Sequence, residues 1–242
     1  MRQAEELGPP SSFAAAGVAE LRRYRLRPGA GPVLLRLFAD HFIVGQRDAG
    51  MLVGPVYEDM DEPDRFVWWR AFPDMTARHR ALATFYDGPV WAAHRDQANE
   101  TMIDSDDVLL LRHTDPPHAD MRAGRPIAGA PDPATAIMVM HDAGGPAAEA
   151  VMSGDLHGLV EDVLRVPVST WRTEPATNTF PRLPVLSTSA YVWTADFGEP
   201  AEMAEALSRL RAHSGWTRWA GTYSGVIELM RLRPVLTGDD RP

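Results

Sequence analysis

Residues 18–26, VAELRRYRL, alternate strictly: Glu20, Arg22 and Tyr24 fall on one side and Leu21 and Arg23 on the other, the period of two that marks a β-strand. The turn signals of RPGAGP end it. Leu34, Leu37, Phe38 and Phe42 then recur at helical spacing as far as Gly50, a residue suited to terminate a helix. Two more alternating runs, MLVGPVYEDM (51–60) and RFVWWRAF (65–72), meet across DEPD and predict a pair of strands. Residues 76–86 and 90–102 predict a helix broken at DGP, where Pro89 can occupy a first helical turn. DVLLLR (107–112) is a fourth strand. The order β-α-β-β-α-β is the split, ferredoxin-like arrangement.

The same order follows a second time. AIMVMHD (136–142) reads as a strand, GDLHGLVEDVL as a helix, VSTWRTE and SAYVWTADF as two strands, PAEMAEALSRLRAH as a long amphipathic helix and VIELMRLRP as a last strand. The halves share residues as well as order: Phe66, Val67, Trp68 and Phe72 align with Tyr191, Val192, Trp193 and Phe197, and Ala81, Leu82, Phe85 and Trp91 with Ala206, Leu207, Leu210 and Trp216. Such self-similarity indicates duplication. The division is therefore a disordered N-terminal segment (1–17), a first repeat (18–112), a linker rich in Pro, Gly and Ala (113–135), a second repeat (136–236) and a tail (237–242). One four-stranded sheet under two helices leaves a naked face. The fold class is α+β, tandem ferredoxin-like repeats pairing their sheets into an α/β barrel, closed within or between chains.

Composition narrows the chemistry. The 242 residues, 45% hydrophobic, suffice for two cores. No apolar run is long enough to span a membrane and the N-terminus lacks a signal-peptide pattern, so a cytoplasmic location is expected. Without cysteine there is no thiolate metal site, iron–sulfur cluster or thiol nucleophile. A formal charge of −9 disfavours nucleic acid and anionic membranes as partners. The arginines of LRRYRLR (21–27) and RLR (231–233) are expected to face water from an outer strand. HTDPPHAD offers His113, Asp115, His118 and Asp120, but a linker with two prolines supplies no rigid metal geometry. HDAGGP (141–146) is no phosphate loop, and no Ser sits in a nucleophile elbow. His157 and His94 could each offer haem an axial ligand, with nothing to select either. No cofactor and no metal are expected.

DEPDRFVWWRAFPDM, FYDGPVWAAHRDQANETMIDSDDVLLLR and, in the second half, NTFPRLPV followed by YVW closely resemble the bacterial two-repeat members of the NIPSNAP family, in the dimeric α/β-barrel superfamily. The resemblance covers residues 18–112 strongly and 136–235 more loosely. It implies a pocket between sheet and helices, which relatives use as cofactor-free monooxygenases on polyketide quinols, as isomerases, as haem enzymes or as binding proteins. A homodimer is left open.

The candidate site is read from single side chains. Glu20, Arg22 and Tyr24 on one strand face could bind and polarise a small acidic or phenolic ligand, or Glu20 and Arg22 could form a structural ion pair. Phe66, Trp68 and Arg70 alternate on the third strand, and a cation on that apolar face needs an anionic or carbonyl partner. Trp91, His94, Ala98 and Met102 share a helix face, which makes His94 a proton carrier at the pocket edge. His41 interrupts the first helix's apolar stripe, and Tyr86 could donate a hydrogen bond. Asn178 and Arg182 could rim the pocket. The second half has Ala195 in place of Arg70 and no Glu-Arg-Tyr set, so the first half is the candidate. The expectation is a cofactor-independent oxygenase, isomerase or cyclase acting on an aromatic or polyketide-like molecule, as in secondary metabolism. His94, Arg70, Arg22 and Tyr24 would be catalytic, and Glu20, His41, Trp68, Tyr86 and Trp91 would bind substrate. The alternative is a non-catalytic small-molecule-binding or scaffolding protein.

Overall fold

The computed structural model describes residues 10, 12–13, 15–114, 129–141 and 155–236. Its first half runs β1 (Val18–Leu26), α1 (Gly31–Leu37), a π-helical turn (Phe38–Phe42), α2 (Ile43–Asp48), β2 (Leu52–Asp59), β3 (Arg65–Phe72), α3 (Met75–Tyr86), α4 (Pro89–Thr101), the short β4 (Met102–Asp104) and β5 (Val108–His113). The second runs β6 (Ala134–His141), α5 (Asp155–Leu164), β7 (Val168–Thr173), β8 (Ala190–Phe197), α6 (Pro200–Ala212), α7 (Ser214–Thr222) and β9 (Ile227–Leu236). Local chemistry sets several boundaries. Gly50 takes φ +93° just past α2, Asp74 caps α3 by accepting from Ala77 N at 2.7 Å, and Pro89 begins α4.

Strand order is β5-β1-β3-β2 in the first half and β9-β6-β8-β7 in the second, the same permutation twice. Antiparallel seams β2–β9 and β5–β7 join them. Eight strands therefore close a barrel within one chain, with β4 added beside β1. Closure removes the sheet edges and buries the face that a single repeat would leave bare.

Alternation divides the side chains between two layers. Leu21, Val67, Trp69, Leu109, Leu111, Ile137, Val139, Trp171, Val192, Met230 and Leu232 fill the barrel. The opposite faces pack under the helices as two separate cores, one around Tyr24, Phe38, Phe42, Trp68 and Phe85, the other around Met138, Met140, Trp193, Leu207 and Trp216.

Several expectations need correction. Residues 1–17 were expected to be disordered; among those of them that are described, Phe13 is buried in the barrel, edge-on to Trp69 and Trp171 at 6.3 and 6.5 Å. Gly54, at the bulge in β2, makes room for it: a Cβ there would lie 2.6 Å from the Phe13 ring. Arg22 and Arg23 do not face water. β1 is a central strand flanked by β3 and β5, so both are buried, and Arg23 is held by Asp107 at 2.7 Å and by Glu228. Arg25 and Arg27, at the strand's end, are exposed. The sequence pattern also missed α7, whose Gly215 and Gly221 dilute the helical signal. Asp115, His118 and Asp120, and residues 142–146, lie outside the described residues. His113 packs edge-on to Trp171 at 4.7 Å. No helix of the described residues is long and apolar enough to cross a membrane.

Candidate functional site

β1 and β3 place Glu20 opposite Arg70, Arg22 opposite Trp68 and Tyr24 opposite Phe66, all facing the helices. Glu20 is the hub. Its Oε2 accepts from Arg22 Nη1 at 2.6 Å and Arg70 Nε at 2.7 Å, and its Oε1 accepts from Arg78 Nε at 2.6 Å. Arg70 Nη2 also lies 2.7 Å from Oε2 but out of line for a hydrogen bond, so that contact is electrostatic. Glu20, Arg70 and Arg78 are 0% exposed and Arg22 2%. One carboxylate against three guanidiniums leaves two formal positive charges in excess in the protein interior.

Neutral oxygens surround the cluster. Arg22 Nε donates to Tyr24 Oη at 2.8 Å, Arg70 Nη1 to Gln46 Oε1 at 3.3 Å and weakly to Tyr86 Oη at 3.5 Å, and Arg78 Nη1 to Asn178 Oδ1 at 2.9 Å. Arg78 Nη2 is buried without an acceptor among the described residues. Burial alone would raise the Glu20 carboxyl, but Arg70, Arg22 and Arg78 outweigh it and hold the group well below the usual carboxylate range. Burial pushes the Tyr24 phenol up despite Arg22, so it keeps its proton at neutral pH. Because Tyr24 Oη already accepts from Arg22, that proton can be donated elsewhere.

The direction open to it is a cavity of about 30 Å3 lined by Tyr24, Leu34, Phe38, Phe42, Gln46, Trp68, Phe85, Tyr86, Trp91, Ala98 and Met102. Trp68 Nε1 is buried in this wall with no acceptor among the described residues. The guanidinium carbons of Arg22 and Arg70 lie 5.5 and 5.4 Å from the Trp68 ring, cation–π distances. The roof is the π-helical turn with α4. π-turns are rare and recur at functional sites. His41 and His94, expected at the pocket edge, stack on each other at 3.8 Å and 12° across this roof, with His94 6.4 Å from Phe42, and neither lines the cavity.

Arg78 and Gln46 were not foreseen, whereas Asn178 and Arg182 were named as possible rim residues, and both lie against the first half. The segment between β7 and β8 crosses onto α3: His79 Nδ1 donates to the Thr179 carbonyl at 2.6 Å, Arg182 pairs with Asp87 at 2.7 Å, and Phe180 is buried 6.0 Å from Tyr86. Asn178 Nδ2 donates to the Leu183 carbonyl at 2.8 Å, which fixes the amide that receives Arg78. Arg78 sits on the same buried face of α3 as Ala81, Leu82 and Phe85, so a cation in the apolar stripe was the available signal.

Register gives the equivalent positions of the second half. Trp193 pairs with Met138 as Trp68 pairs with Arg22, Ala195 with Ala136 as Arg70 with Glu20, and Tyr191 with Met140 as Phe66 with Tyr24. On the helices, Arg78 N bonds to the N-cap carbonyl of Asp74 and Met203 N to that of Glu199. Glu20, Arg22, Arg70 and Arg78 are thus matched by Ala136, Met138, Ala195 and Met203, all buried.

No family model and no curated protein matches the chain. Solved structures do. An anthrone oxidase-like protein superposes with a TM-score of 0.60 over 95% of this chain and 97% of its own, at 12% identity. A candidate monooxygenase from Fusobacterium nucleatum gives 0.56 over 92% and 94%, at 7% identity. A NIPSNAP-domain protein of uncharacterized function from Burkholderia xenovorans aligns over 43% of this chain and 97% of its own, at 18% identity and a TM-score of 0.37. The two full-length likenesses define the fold class, a barrel of dimeric α/β type made from tandem ferredoxin-like repeats.

Proposed function

We propose that this is a two-repeat NIPSNAP-type barrel whose first half carries a cofactor-independent enzyme site for an enolisable aromatic or polyketide-like molecule. One observation carries the reading. The second half builds the same layers with Ala136, Met138, Ala195 and Met203, so the fold does not require a buried carboxylate and three arginines. Polar groups that the architecture can do without, and that are costly to bury, are expected to serve a ligand.

The chemistry follows from the charge. A phenol or ketone whose oxygen lies against Tyr24 Oη and Trp68 Nε1 can receive two hydrogen bonds. The positive excess behind them favours the enolate over the neutral form, with the released proton passing to solvent water. An electron-rich enolate reacts with dioxygen directly. The names of two structural neighbours suggest which reaction to try first, anthrone plus O2 giving anthraquinone plus water, while the likeness itself shows only the fold. At about 30 Å3 the cavity holds one or two waters, well short of the roughly 300–1,000 Å3 of small-molecule pockets. Substrate entry therefore requires Phe38, Phe42 and Trp91 to withdraw with the π-turn and α4.

That small volume is the observation favouring a second reading, a non-catalytic binding or scaffolding barrel in which the cluster is framework. Anaerobic titration with a hydroxylated anthrone, followed by tryptophan fluorescence, separates the two. Trp68 and Trp91 lie in the wall, so saturable quenching that Arg22→Met abolishes supports the site. Absence of quenching, or equal quenching in Arg22→Met, supports the framework.

A further inference from the structure

A second set of arginines lies on the outer wall of the barrel, where the halves meet. Arg112 on β5 stands directly opposite Arg172 on β7. The inward neighbours Leu111 and Trp171 belong to the barrel core, so both arginines point outward, and both are half-buried. Like charges opposite each other across two strands are destabilising. Most other buried or half-buried arginines with resolved partners meet carboxylates: Arg22, Arg70 and Arg78 meet Glu20, Arg23 meets Asp107 and Glu228, Arg65 meets Asp59, Glu62 and Glu228, and Arg231 meets Asp61, while Arg209 donates to the carbonyls of Val163 and Leu164 at 3.3 and 3.4 Å. Arg112 and Arg172 have no hydrogen bond or ion pair among the described residues, and the Nε of each is buried without an acceptor.

The opposite seam shows the arrangement that the architecture otherwise uses. There, the equivalent register position sets Glu58 of β2 opposite Arg233 of β9, and the Arg233 guanidinium is held by Asp132 at 3.1 Å. Duplication alone would leave an opposite-charge pair at each seam, yet one seam holds two cations. Beside them, on the same face, Thr114 and Thr170 share a hydrogen bond of 2.6 Å between their hydroxyls. The nearest acidic side chain along β7 is that of Glu174, which is engaged with Ala176 N at 2.9 Å.

We infer that Arg112 and Arg172 form a binding site for a phosphate group, the Arg–Arg pair at the β5–β7 seam supplying two guanidinium forks for one dianion. A dianion held by the outward Nη ends neutralises both charges. This site is independent of the enzyme reading and lies outside the first-half cavity.

The test is the melting temperature of the full chain at low ionic strength, with 10 mM inorganic phosphate, glycerol phosphate or acetate matched for ionic strength against chloride. Phosphate is expected to raise the wild-type Tm by about 2 °C or more, acetate to have little effect, and Arg112→Gln and Arg172→Gln each to lose the response. A larger rise with glycerol phosphate than with phosphate assigns the site to a phosphomonoester; the reverse assigns it to the free anion. Without added anion both variants should melt no lower than wild type, because each relieves a repulsion. The inference is overturned by a wild type indifferent to phosphate, by acetate acting as well as phosphate, or by variants that melt lower without anion. A phosphate response that persists in both variants also overturns it, since the anion then sits elsewhere, as at the buried Glu20 cluster.

Discussion

Replacing Glu20 by Gln keeps the shape of the side chain and removes the charge that three buried guanidiniums share. Breaking one buried ion pair by deleting a partner costs about 3–5 kcal/mol, because the remaining charge is left uncompensated. Glu20 bonds Arg22, Arg70 and Arg78 at 2.6–2.7 Å with all four side chains buried, so the loss should reach the top of that range, about 5 kcal/mol. That is a large share of the roughly 5–15 kcal/mol typical of a folded domain. Urea unfolding followed by tryptophan fluorescence reads it as a fall in midpoint. The second half supplies the control. Glu20→Ala, Arg22→Met, Arg70→Ala and Arg78→Met together install its residues and remove every charge at once, and that variant should stay within about 2 kcal/mol of wild type or exceed it. A Glu20→Gln loss below about 1 kcal/mol, or a fourfold variant that fails to fold, would refute the reasoning.

Other outcomes follow from the same geometry. Because the folded-state Glu20 carboxyl lies below its ordinary range, its contribution is complete above about pH 4.5 and is lost as pH falls toward the folded value; urea midpoints from pH 5 down to pH 2 should fall more steeply in wild type than in the fourfold variant, and parallel curves would contradict this. Phe180→Ala empties the contact between the β7–β8 segment and Tyr86 and should cost about 3 kcal/mol, whereas a loss under 1 kcal/mol in urea unfolding would mean that the segment does not close the first core. His94→Ala removes the stack on His41 and should cost about 1 kcal/mol while leaving the anthrone titration unchanged; lost binding would return His94 to the site. Arg165 holds φ +62° just past α5, so Arg165→Gly should raise stability by about 0.5–1 kcal/mol, checked by thermal melting, and a fall would count against that strain.

Much of the architecture was legible because strand alternation and helical spacing are local properties. VAELRRYRL and RFVWWRAF already place Glu20, Arg22, Tyr24, Trp68 and Arg70 on matching faces, and Ala195 in place of Arg70, with no Glu-Arg-Tyr set in AIMVMHD, already announced that the second half lacks the cluster. What stayed hidden depends on contacts between distant elements. Arg23 reads as a surface charge until barrel closure brings Glu228 beside it. Arg78 lies one turn before Ala81 and Leu82, where a helix pattern alone gives no sign of a carboxylate waiting on β1. NTFPRLPV belongs to the second half in sequence and covers the first half in space, which only the β5–β7 seam makes possible. His94 shares a helix face with Trp91 and Ala98 as its spacing indicates, but His41 from the neighbouring helix takes up its ring.

The most direct measurement is oxygen uptake with anthrone, comparing wild type with the fourfold Glu20→Ala, Arg22→Met, Arg70→Ala, Arg78→Met variant, whose fold the second half shows to be compatible with those residues. The account predicts that wild type consumes one dioxygen per anthrone faster than the uncatalysed reaction, and that the folded variant falls back to that background. Equal uptake by the two proteins, or a wild type no faster than background, would contradict it.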